Sequence, residues 1–138
     1  MAAPVDLLRR VPLFAELSNR DLERLSRTFK ERRFPGGETI AAEGKGGVGF
    51  FVIGEGNVTY SVKGEEVGSG GPGEYFGEIA LIDDGARSAT VTAATDVTAY
   101  GLTSWEFRPL VEENASIAWQ LLQVLAKRLR AAQESSTS

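Results

Sequence analysis

The chain has 138 residues, 42% of them hydrophobic and 25% charged, a balance that suits one compact domain with its own core. It contains no cysteine and no histidine, which excludes disulfides, thiolate metal sites and a Ser-His-Asp hydrolase, and removes the commonest general base and zinc or iron ligand. A formal net charge of −4 repels polyanions, so any anion the protein holds must be held by local geometry.

No apolar run is long enough to cross a bilayer, and Asp6, Arg9 and Arg10 interrupt any signal-peptide core at the N-terminus. A cytoplasmic protein without membrane contact is the expectation. Residues 4–29 then read as an N-terminal helical segment broken at Pro12. Ser18 with Asp21 resembles a capping box opening a second helix, and Leu22, Leu25 and Phe29 form one apolar stripe suited to packing.

Residues 30–103 read as a succession of short strands at 39–42, 50–53, 57–62, 65–68, 89–94 and 97–102. Between them lie turn signals: Pro35-Gly36-Gly37, Gly44 to Gly49, Gly54-Glu55-Gly56, Lys63-Gly64 and Gly70 to Gly73. Many short strands at this spacing predict a β jelly-roll barrel. Residues 104–133 are helical again, with Ser104 capping a short helix through Val111. Asn114 caps a longer helix that carries Ile117, Leu121, Val124, Leu125 and Arg128 toward Ala132. Those apolar residues either cover the barrel or form a subunit seam. Trp105 and Trp119 are expected to pack against the barrel or an adjoining helix, and 134–138 is expected to be a disordered tail. The fold class is thus mainly β, a jelly-roll barrel with flanking N-terminal and C-terminal helices, in one domain over 1–133.

One stretch breaks the strand rhythm: Phe76-Gly77-Glu78-Ile79-Ala80-Leu81-Ile82-Asp83-Asp84-Gly85-Ala86-Arg87-Ser88-Ala89. Gly77 to Leu81 reads as a single helical turn, whose start presents unpaired N–H groups to an anion. Gly77 lets the backbone approach a ligand closely. Arg87, after the turn at Asp84-Gly85, returns over the same cradle with a planar fork able to grip two phosphate oxygens. Glu78 beside a phosphate makes sense as the acceptor of a sugar hydroxyl, with Arg87 offsetting its charge. Alone, Arg87 and Glu78 are equally consistent with a structural salt bridge. Asp83 and Asp84 read as turn formers, and Lys127, Arg128 and Arg130 as cations compensating a helix dipole.

The run Gly77-Glu78-Ile79-Ala80-Leu81 with Arg87-Ser88-Ala89 resembles the phosphate-binding cassette of the cyclic nucleotide-binding domain family. Leu13-Phe14, Leu17-Ser18, Asp21-Leu22, Gly37-Glu38, Glu43-Gly44, Val52-Ile53, Gly56 and Pro72-Gly73 follow the family's order, so the likeness extends from about Leu13 to Leu129. Val48 departs from it, standing where many members carry an acidic residue. The resemblance implies a regulatory module that binds a cyclic nucleotide and is not an enzyme. It implies Arg87 with Ser88 on the cyclic phosphate and Glu78 on the ribose 2′-hydroxyl. Backbone of Gly77, Glu78, Ile79, Ala80 and Ala89 would line the site, with Val62 near the base and Arg128 as a lid. Ser88, where members that favour cGMP often carry threonine, leans the site toward cAMP. No metal or cofactor is implied beyond that ligand. The resemblance also implies a homodimer, or a partner protein, engaged through the C-terminal helix.

Two other readings remain. The chain resembles the effector half of a catabolite-activator-type transcription regulator, but it stops at Ser138 without a helix-turn-helix, so no nucleic acid is expected to bind to this chain alone. A cupin-like enzyme shares the jelly-roll outline but needs histidines around a metal, and none are present.

Overall fold

The computed structural model describes residues 3–42, 44, 49–77 and 89–136. Helices α1 (Val5–Arg9) and α2 (Asn19–Thr28) come first. Strands β1 (Lys30–Phe34), β2 (Thr39–Ala41), β3 (Phe50–Glu55), β4 (Val58–Val62), β5 (Glu65–Gly70), β6 (Tyr75–Phe76), β7 (Thr90–Ala93) and β8 (Val97–Leu102) follow, and α3 (Ser104–Glu113) and α4 (Ala115–Ser136) close the described chain.

The strands pair like one long hairpin folded over on itself: β1 with β8, β2 with β7, β3 with β6 and β4 with β5, all antiparallel. Cross-pairs β8–β3 and β7–β4 complete two sheets, ordered β1-β8-β3-β6 and β2-β7-β4-β5. This is the double-sheet jelly roll. Among the described residues no ladder joins the two sheets, so the expected jelly roll takes the form of an open sandwich.

β3 explains how the layers stack. Its run Phe50-Phe51-Val52-Ile53 is buried throughout, the mark of a strand covered on both faces. Phe51 and Ile53 face the second sheet, where Phe34, Ile40, Val58, Val91, Val97 and Ala99 complete a core between the sheets. Phe50 and Val52 face the other way, into a core built with Leu8, Phe14, Leu22, Leu25, Phe29 and Phe107. Phe50 lies edge-on to Phe14 at 5.7 Å and to Phe29 at 5.9 Å between ring centres. Ile117, Leu121 and Val124 of α4 join the same core, so they cover the sheet and are not a free seam.

Some elements differ from the sequence expectations for identifiable reasons. β1 carries Lys30, Glu31, Arg32 and Arg33 before its one buried residue, Phe34, and as an edge strand it needs no apolar alternation to hold its place. β6 is two residues long, too short for a periodicity to register. The cap of α3 is Thr103, one residue earlier than expected: its hydroxyl accepts from the Glu106 N–H while Glu106 Oε1 accepts from the Thr103 N–H at 3.1 Å. Helix α4 continues through Ser136, past Ala132 into the expected tail, because Ala131, Ala132, Gln133 and Glu134 are good helix formers with no breaker among them. Trp105 and Trp119 do not pack inward. They are 67% and 64% exposed: the core-facing stripe of α4 is taken by Ile117, Leu121 and Val124 with Trp119 on the opposite side, and on α3 the buried place is held by Phe107.

α2 and α4 are also tied by polar groups. Ser18 caps α2 as expected, its hydroxyl accepting from the Asp21 N–H at 3.2 Å. The Asp21 carboxylate, 5% exposed, accepts from Ser116 Oγ at 2.7 Å, and Arg24 donates to the Asn114 side-chain oxygen.

Phe50→Ala removes the ring on which the helical layer rests and is expected to lower stability by about 3–5 kcal/mol, measured by urea unfolding. Glu106 gives a second expectation. Burial pushes its carboxyl up, but hydrogen bonds from Thr103 and the Lys30 ammonium at 3.1 Å outweigh this and hold it below the ordinary glutamate range. A depressed carboxyl stabilises the fold above its unfolded-state pKa and loses that contribution as pH falls through the folded value. Thermal melting followed from pH 7 to pH 3 should therefore fall less steeply at the acid end for Glu106→Gln than for the unchanged chain.

Candidate ligand-binding site

The segment that breaks the strand rhythm connects the two sheets: it leaves the first at the end of β6 and enters the second at the start of β7. Gly77, at its beginning, has φ +82°, a conformation that glycine adopts cheaply and other residues rarely do. This requirement is separate from the close approach for which the sequence singles Gly77 out. Glu78, Ile79, Ala80, Arg87 and Ser88 lie outside the described residues, as do the helical turn after Gly77, Asp83, Asp84 and Val48.

Both described ends of the segment meet at β4. β4 pairs with β7 in unbroken register, Tyr60 opposite Val91 and Ser61 opposite Thr90. At the other end, Phe76, immediately before Gly77, lies edge-on to Tyr60 with ring centres 6.3 Å apart. Strand alternation puts Val58, Tyr60 and Val62 on one face, and Val58 and Tyr60 belong to the core between the sheets. Phe76 and Thr90, which flank the segment between Gly77 and Ala89, thus both lie against β4, the strand that ends at Val62. Arg128 belongs to another layer: it is half-buried on α4, continuing the stripe of Ile117, Leu121 and Val124, and its neighbour Lys127 bridges to Glu16 at 2.9 Å.

The wall between the sheets is aromatic. Phe34 and Phe51 lie edge-on at 5.9 Å, Phe51 stacks on Phe76 at 5.4 Å, and Phe76 meets Tyr60. Tyr60 is the member with a polar tip, and burial, then the negative charge of Glu74, pushes its phenol above the ordinary tyrosine range. Tyr60 carries no motif of its own in the sequence, although the two-residue spacing from Val62 places both on one face. A separate hollow of about 150 Å³ opens beside Lys30, Arg32, Gly101, Thr103 and Trp105, at the edge of the first sheet. Its Lys30 is engaged with Glu106, the carboxylate that completes the α3 cap, which makes it part of a helix terminus. The residues that flank the connecting segment face the apolar wall between the sheets instead.

Comparison with known proteins bears on what that ligand is. The family model described as cyclic nucleotide-binding domain matches residues 31–114, a span that contains the whole connecting segment. Among curated proteins, the chain is 36% identical to a cyclic nucleotide-gated potassium channel of Rhizobium etli, over 88% of this chain and 34% of that protein. It is 32% identical to the cyclic AMP receptor protein of Thermus thermophilus, over 88% of this chain and 58% of that protein. The chain therefore spans about a third of the channel and somewhat over half of the receptor protein. Among solved structures, the N-terminal domain of a transcriptional regulator from Streptomyces coelicolor superposes with a TM-score of 0.88 at 33% identity, covering 94% of this chain and 96% of that one. A jelly roll under a helical layer, a glycine-opened segment joining its sheets, and a family match across that segment identify the chain as a member of the cyclic nucleotide-binding domain family.

Proposed function

We propose that this chain binds a cyclic nucleotide, cAMP in preference to cGMP, and serves as a regulatory module with no catalytic activity. The observation that carries the reading is the segment between Phe76 and Thr90, two residues that both lie against β4, together with the family match that covers it. In this reading Arg87 grips the cyclic phosphate with Ser88, and Glu78 accepts from the ribose 2′-hydroxyl. The backbone of Gly77, Ile79, Ala80 and Ala89 lines the site, Val62 lies by the base, and Arg128 closes over it from α4. The guanidinium supplies what the acidic chain lacks, a strong local attraction for an anion. The preference for cAMP rests on Ser88 and is consistent with a relative named as a cyclic AMP receptor protein.

A second reading concerns the protein as a whole. The receptor and the Streptomyces regulator favour an effector domain of a transcription regulator, with α4 carrying the signal onward in a cytoplasmic protein. Trp119, Leu122 and Leu129, all exposed, follow one another at helical spacing along the outside of α4. They supply an apolar strip on which a second copy of the chain docks, giving a homodimer through that helix. The ligand then acts by favouring whichever placement of α4 best closes the site.

Titration of the protein with cAMP and cGMP by calorimetry should show saturable binding, tighter for cAMP, together with a rise in melting temperature. Arg87→Ala should weaken it by several kcal/mol, since it removes a bidentate charged contact. The absence of a response to either nucleotide in the unchanged chain sinks the reading. For the dimer, Leu122→Glu with Leu129→Glu should convert a dimeric species to a monomer in sedimentation without loss of helix content.

A further inference from the structure

The hollow at the edge of the first sheet originates in the order of residues across three strands. Lys30, Gly101 and Phe51 stand abreast on β1, β8 and β3, and Arg32 lies beside Ala99 in the next row of the same face. The middle strand thus puts its two smallest residues between the long side chains of β1 and the bulky ones of β3, and the face sinks there. The Phe51 ring leans over Gly101, where a Cβ would come within 2.8 Å of it, and lines the hollow with hydrocarbon. Trp105, 67% exposed, lines it from the start of α3.

Three charged groups border the same space: Lys30, Arg32 and Glu106. Lys30 and Glu106 satisfy each other at 3.1 Å. Among the described residues Arg32 forms no ion pair, and its guanidinium rests over the Phe34 ring, 5.8 Å from the centre. Two cations therefore stand against one anion, on a chain whose net charge is −4. The volume of about 150 Å³ suits one six-membered ring. We propose that this hollow is a second ligand site, which takes a small aromatic carboxylate: its ring packs against Trp105 and Phe51, and its carboxylate accepts from the Arg32 guanidinium. Each half alone is weak. A bare ring buries little area in an open hollow, and an anion on one exposed guanidinium gains little in water. Together they reinforce each other, because the ring shields one side of the charged hydrogen bond from solvent. The Glu106 carboxylate on the same rim repels a dianion more than a monoanion, which favours a carboxylate over a phosphate monoester. This site is separate from the connecting segment and does not rest on the cyclic-nucleotide reading.

Benzoate, benzyl alcohol and acetate, titrated into the isotope-labelled full chain and followed by amide NMR, test the assignment. Benzoate should shift the Gly101 and Thr103 amides and the Trp105 indole N–H saturably at millimolar concentration. Benzyl alcohol, which lacks the charge, and acetate, which lacks the ring, should each bind roughly ten-fold more weakly or worse. Arg32→Gln should bring benzoate down to the level of benzyl alcohol, and Trp105→Ala should bring it down to that of acetate. Both residues are exposed, so neither substitution disturbs the core. The absence of saturable shifts with benzoate would overturn the assignment, as would equal binding of benzoate and benzyl alcohol, or benzoate binding that survives either substitution. Shifts at Gly77 and Ala89 instead of Gly101 and Thr103 would put the acid in the connecting segment and overturn it as well.

Discussion

The burial of β3 on both faces is the constraint from which the rest of the architecture follows. A strand that is apolar at four successive positions needs cover on two sides, and neither a lone sandwich nor a helix on a single sheet supplies it. The second sheet covers Phe51 and Ile53, and the helices at both ends of the chain cover Phe50 and Val52. The helical layer is thereby committed to one face of one sheet. The other sheet contributes β4, around which the connecting segment is anchored. Helical cover thus falls on the outer face of the first sheet alone, and β3 is covered from both sides.

The electrostatics follow the same division. An acidic chain can hold an anion only where a local array of donors outweighs the general repulsion. The connecting segment is suited to that because its ends are fixed to different sheets while its middle carries a guanidinium and a glycine-opened backbone. Several of the exposed cations of the described chain are already matched: Lys30 by Glu106, Arg108 by Glu112 and Lys127 by Glu16. Such pairs on the surface contribute little to stability, but they leave the outside without a broad cationic face.

Much of this was readable from residue order, because the features involved are local. Glycine punctuation marked the turns, the four-residue apolar run marked β3, and Ser18 marked the start of α2 where the hydroxyl does cap it. What was not readable depends on partners distant in sequence. β1 looks like a charged linker until β8 lies beside it. Trp119 looks like a core residue until the stripe of α4 proves to be filled without it, and Trp105 until Phe107 proves to hold the buried place on α3. Thr103 and Ser104 are equally good caps on paper, and the side chain of Glu106 decides between them. At the site, the cassette motif was visible as a string of residues, whereas the convergence of its two ends on β4 is a property of register. Tyr60 escaped notice because a tyrosine in a strand is unremarkable until its ring is found against Phe76.

The link between α2 and α4 constrains how the helical layer can move. Asp21 is almost fully enclosed, and its carboxylate is held by Ser116 Oγ and by the Arg24 guanidinium at 3.8 Å, so withdrawing Ser116 would cost it a buried hydrogen bond. Arg24 on Asn114 adds a second rivet one turn away. Sliding of α4 past α2 is therefore a costly motion, because it breaks both links at once. Mechanically, the first helices and the last form a single lever, so a push delivered at either terminus is felt at the other.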